Sequence, residues 1–103
     1  MTISEIGKLL EATGIPVRYG FFKEPQKPPF ICYVVAYSNN CFADDAVIQR
    51  IDHIQVELYT EKKNEEAEDK VEKALSSFSW NKEENYIDDE KLWQILYEME
   101  VIR

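Results

Sequence analysis

Three glycines, at positions 7, 14 and 20, are all that this 103-residue chain carries. Loops that cradle phosphate need glycines clustered close together, so the glycine-rich nucleotide motifs are excluded. Histidine occurs once, at His53, and cysteine twice, at Cys32 and Cys41. There is no C-x-x-C pair, and the spacing of Cys32, Cys41 and His53 matches no zinc pattern and offers no evident fourth ligand. No Ser or Cys stands at a recognisable spacing from a partner base. No apolar run reaches the roughly 18–20 residues that span a bilayer. Met1-Thr2-Ile3-Ser4-Glu5 lacks both the basic start and the apolar stretch of a secretion signal, so the thiols are expected to be reduced and cytosolic. Bases are also scarce. Twelve Lys and Arg against 20 Asp and Glu leave a net charge of −8. That balance argues against a nucleic-acid binder that works by neutralising phosphates, and against adsorption to an anionic membrane.

What is present fits one small domain, residues 1–103. Hydrophobic residues make up 45% and charged residues 31%, a globular balance rather than a disordered one. A core of this size is marginal, and oligomerisation is a natural source of extra stability. Thr2-Ile3-Ser4-Glu5 is a capping box, and Ile3, Ile6, Leu9 and Leu10 follow at helical spacing, which predicts a helix over 3–13 ended by Gly14 and Pro16. Val17–Phe22 reads as a short strand, and the proline-rich 23–29 as a loop. Residues 30–37 are apolar on both faces, as in a strand covered on both sides. Residues 38–46 read as a long polar loop of the kind that often carries function.

Residues 51–59 alternate, with Ile54, Val56 and Leu58 on one face and His53, Gln55, Glu57 and Tyr59 on the other. A helix is predicted over 62–78, capped by Asn64, with Ala67, Val71, Ala74, Leu75 and Phe78 as its buried stripe. Its Glu/Lys run is a wet face with Glu66–Lys70 and Asp69–Lys73 at i,i+4 spacing. Residues 80–87 are extended, 88–91 form a turn or a charged strand edge, and 92–101 form a last strand with Trp93, Ile95, Tyr97, Met99 and Val101 on one face. The expected fold is α+β, an antiparallel or mixed sheet of about four or five strands with two helices packed on it, and antiparallel pairing favoured for adjacent strands.

His53, between Asp52 and Glu57, reads as a surface or interface residue rather than a catalytic one. Asp44, Asp45 and Asp52 lack the alternating ligands and the glycine of a calcium loop. The sequence therefore assigns no catalytic residue, cofactor or metal. Six Tyr, five Phe and two Trp are many for this length. Most must fill the core, but aromatics left at a surface, with Tyr19, Phe21, Phe42, Tyr59 and Trp93 as candidates, mark interface centres. Asn40, Phe42, Asp44, Asp45 and Tyr59 are the candidate protein-contact residues.

Pro28-Pro29-Phe30-Ile31-Cys32-Tyr33, Phe42-Ala43-Asp44-Asp45, Val56-Glu57-Leu58-Tyr59-Thr60-Glu61-Lys62-Lys63 and Trp93-Gln94-Ile95-Leu96-Tyr97-Glu98-Met99-Glu100-Val101 resemble a family of small proteins from phage and prophage structural clusters of Gram-positive bacteria. The chain is similar over nearly its whole length to tail terminator, or tail-to-head joining, proteins of long-tailed siphophages. The resemblance implies helices on an antiparallel sheet and a hexameric ring. Such a ring caps the tail tube at the head–tail junction of the virion, after assembly in the host cytoplasm, and offers its other face to the head completion or connector protein. DNA only passes through the central hole. A neighbouring completion protein of similar fold, or an acidic DNA mimic that blocks a nucleic-acid-binding protein, are the alternative readings; an enzyme is the least supported.

Overall fold

Alternation in the strand Ala46–Thr60 organises the molecule. Asp52, Ile54, Val56, Leu58 and Thr60 are buried, while His53, Gln55, Glu57 and Tyr59 are only half-buried. Side chains of period two leave one face for a core and one for other uses. The structure, a computed structural model, describes residues 1–43 and 46–102, and within these the backbone alone for 40–43 and 46–49. In chain order the elements are α1 (Ile3–Glu11), β1 (Val17–Tyr19), β2 (Phe30–Ala43), β3 (Ala46–Thr60), α2 (Glu65–Ala74), β4 (Trp80–Ile87) and β5 (Leu92–Ile102). The five strands form one mixed sheet in the order β1-β2-β3-β5-β4. Two helices on such a sheet make an α+β fold.

Both helices bury their apolar stripes against the same sheet face. Ile6 and Leu10 of α1, and Ala67 and Val71 of α2 with Leu75 just beyond it, pack with Ile31, Tyr33, Ile54, Val56, Leu58, Ile95, Tyr97, Met99 and Val101. Registers match these residues across the sheet, Tyr33 beside Val56 and Val56 beside Tyr97. The α1 capping box forms as the sequence predicts: the Thr2 hydroxyl accepts from the Glu5 N–H at 3.2 Å, and the Glu5 carboxylate accepts from the Thr2 N–H at 3.2 Å. Gly7 lies where α1 crosses the sheet, and a Cβ there would run into the hydroxyl end of Tyr33. The Asn64 side chain caps α2 by accepting from the Ala67 N–H at 3.0 Å.

Four boundaries differ from the sequence reading. The helices are shorter, α1 ending at Glu11 and α2 running only from Glu65 to Ala74, because the expected flanking residues lie outside the capped turns. The β1 strand ends at Tyr19 and pairs parallel with β2, Val17 beside Ile31 and Tyr19 beside Tyr33. Antiparallel pairing was the expectation; the ten or so residues between the two strands are enough to carry the chain back to the same end of the sheet.

The largest correction concerns 38–46. Its described part is strand, not loop: β2 runs through Ser38, Asn39 and Asn40 to Ala43, and β3 already begins at Ala46. Asn39 pairs with Ile51, Asn40 with Arg50 and Ala43 with Ala46. Register shifts between Val35 and Tyr37 and between Cys41 and Phe42 break the alternation. Each bulge adds a residue and flips the faces that follow, so the sequence loses its period-two signature there. The first shift also moves Tyr37 from the face of Val35 to the face of His53, opposite to the simple alternation.

Candidate interaction surface

The face of the sheet away from the helices is only partly covered. At its β1 end the segment after β1 folds over it. Phe22 meets the Phe30 ring edge-on at 5.5 Å, and Phe30 stacks on Tyr59 at 4.8 Å and 21°. The Arg18 guanidinium sits over Phe22 at 5.6 Å from its centroid. The Tyr59 hydroxyl donates to Glu57 Oε2 at 2.7 Å and accepts from Gln94 Nε2 at 3.0 Å. Cys32 lies among them, 4% exposed. Burial first, then the neighbouring Glu57 carboxylate, pushes the Cys32 thiol up. Burial and the bond to Glu57 push the Tyr59 hydroxyl well up. A thiol kept protonated is a poor nucleophile and behaves as a small hydrophobe. An open depression of about 560 Å³ over Phe22, Phe30, Tyr59 and Leu92 thus sets stacked rings and a protonated thiol beside the side chains of Lys23, Glu24, Glu57 and Glu90.

The other end of this face is barer. Tyr37, 56% exposed, stacks on His53 at 4.0 Å and 15°. His53 Nε2 lies 3.5 Å from Glu100 Oε1 and 3.3 Å from Asn39 Nδ2. Ile102 is exposed nearby. Beyond this point the sheet narrows to two strands. β5 accompanies β3 only as far as the Ile51–Ile102 pair, so residues 40–43 and 46–50 pair only with each other among the described residues. This arm stretches the molecule to 50 × 26 × 23 Å. Its Cα radius of gyration is 14.7 Å, against about 13 Å for a compact domain of this length.

The two outer edges of the sheet differ. β1 protects β2 only at Ile31–Tyr33, extended by the Val35 N–H donating to the Tyr19 hydroxyl at 3.3 Å. β4 forms the opposite edge and is tied down from the helix side by ion pairs. Lys82 Nζ lies 2.6 Å from Glu68 Oε1 and 2.8 Å from Glu72 Oε2, and Lys63 bridges Glu68 and Glu84. Tyr97, fully buried, donates to Glu72 Oε2 at 2.9 Å. Burial alone would raise the Glu68 carboxyl; the bonds from Lys82 and Lys63 outweigh it and hold Glu68 below the usual carboxylate range. Glu68 was read as part of a solvated helical face, yet it is 3% exposed. Only its two cationic partners make that burial tolerable. Glu66 and Lys70 do pair on the wet face, at 3.8 Å.

Of the contact residues named from sequence, Tyr59 is a packed member of the Phe30 stack rather than a free anchor. Asn40 falls on the backbone at the base of the arm and Phe42 nearer its tip, and Asp44 and Asp45 lie outside the described residues. The structure brings Tyr37, His53, Asn39 and Ile102 together at the arm's root, a grouping hidden in the sequence by the bulge. Phe21 is 75% exposed, the most exposed large apolar side chain among the described residues; it and Tyr19 were flagged as aromatics for a surface. No group of three His, Cys, Asp or Glu is placed to hold a metal among the described residues, and no helix there is long and apolar enough to cross a membrane. No protein-family model and no curated protein matches the chain.

Proposed function

We propose that this chain is a virion assembly protein of the tail-terminator type, which caps a phage tail tube as a ring of identical copies and joins it to the head connector. The observation that carries the reading is the arm, residues 40–43 and 46–50, extending beyond a sheet whose helix-covered half already holds the core. Two strands without a third have little stability of their own in water. An arm of that kind gains its order from whatever it docks on, and assembly proteins often order such segments on binding. Exposed Phe21, Tyr19 and Tyr37 supply aromatic anchors for such contacts. The net charge of −8 suits a ring through which DNA slides, because acids repel the phosphate backbone. The sequence resemblance and the α+β fold point the same way.

Electron microscopy of the protein mixed with tail tubes tests this directly. Rings seated on tube ends, with tube lengths fixed, are the expected result. Tubes that keep growing in its presence, with no density at their ends, refute the proposal.

A further inference from the structure

We propose that neighbouring copies join by strand addition, the outer edge of β4 in one copy pairing with the outer edge of the β2 arm in the next. The inference rests on the ring reading above and supplies its contact.

The open edges themselves point to it. On the outer side of β2, backbone partners stop at Val35, so residues 36–43 have none among the described residues. Natural sheets guard such edges with charge or proline, because unpaired N–H and C=O groups recruit any strand that approaches. Ala36-Tyr37-Ser38-Asn39-Asn40-Cys41-Phe42-Ala43 contains no Lys, Arg, Asp, Glu or Pro. The β4 edge is open as well, and its 8 residues match this stretch in length.

Charge disfavours one of the possible edge pairings, and ring closure disfavours a second. Each copy carries −8, so contacts that set acid against acid are disfavoured. A β4–β4 contact would bring Glu83 of one copy close to Glu83 of the other, Glu84 being held by Lys63 within its own copy. Pairing β4 with β2 instead sets Glu83 beside an uncharged strand, with Arg50 beside Asn40 in the arm. A β2–β2 contact is also neutral, but it is self-complementary and stops at two copies. The β2–β4 contact joins unlike edges, so it repeats until the ring closes.

Hydrogen exchange on the unaltered protein, free and assembled on tail tubes, reads the contact. Amides of 36–43 and 80–87 should slow at least tenfold on assembly, while 52–58, paired on both sides already, stay unchanged. In parallel, Ala36→Glu with Asn39→Glu puts acids on the arm edge and should raise the concentration needed for ring formation at least tenfold. Adding Glu83→Lys should restore it. Far-UV circular dichroism checks that these variants fold, and the exchange experiment stands without them. Rings that form with neither edge protected, or without rescue by Glu83→Lys, overturn the strand-addition contact and leave the ring reading intact. Protection of the β2 edge alone also overturns it, in favour of β2–β2 pairing or a strand from the tube protein. Absence of rings, alone or on tubes, defeats the assembly reading itself.

Discussion

The two faces of one sheet have opposite characters. Under the helices, Ile54, Val56 and Leu58 interdigitate with Ile6, Leu10 and Val71 in a core that excludes water. On the other face the same β3 strand presents His53, Gln55, Glu57 and Tyr59, held by stacking and side-chain hydrogen bonds and partly open to solvent. One face holds the fold together without help. The other keeps large rings, a histidine and an arm root available, at little expense to stability. Strand parity alone thus separates the packed face from the open one.

The comparison breaks first if the core face proves tolerant. Leu58→Ala, at a fully buried site, should lower unfolding free energy by about 3–5 kcal/mol in urea titration. The ion-paired junction with β4 comes next. Glu68→Ala leaves Lys82 facing a low-dielectric site with one partner fewer and should cost about 2–3 kcal/mol. Because the folded Glu68 carboxyl sits below its ordinary value of 4.5, its contribution is complete above that pH and is lost as pH falls through the folded value. Glu68→Gln should therefore flatten the acid limb of a stability–pH curve; an unchanged limb would place the acid sensitivity elsewhere.

Gly7→Ala sharpens the comparison from the helix side. In an exposed helix this change stabilises by about 1 kcal/mol. Here the added methyl meets Tyr33, so thermal melting should show a loss of about 1–3 kcal/mol instead. The smallest effect is expected on the open face. Tyr37→Ser should shift stability by no more than about 0.5 kcal/mol, and a change as large as that of Leu58→Ala would show that the arm root belongs to the core.

Much of this was readable from residue patterns. The capping box at Thr2 and Glu5, the Asn64 cap, the alternation of 51–59 and the face shared by Ile95, Tyr97, Met99 and Val101 are local signals, and each appears in the fold where expected. The arm was not readable. Ser38-Asn39-Asn40 has the composition of a turn, and two bulges erase the period that marks a strand, so only pairing with 46–53 reveals it. The parallel placement of β1 was hidden too, since a three-residue strand takes its direction from a distant partner. Glu68 gave no sign of burial, because the cations that accept it come from Lys63 and from Lys82 on another element. Of the candidate surface, the grouping of Tyr37, His53 and Asn39 at the arm root depends on a face flip that no composition records.

Cys32 offers a clock. With its sulfur sealed beneath Phe22 and Tyr59 and kept protonated, a thiol reagent can modify it only when that lid of rings lifts. In a Cys41→Ser background, the modification half-life would time how often the aromatic end breathes, and a slower beat after assembly would report that a neighbour had come to rest on it.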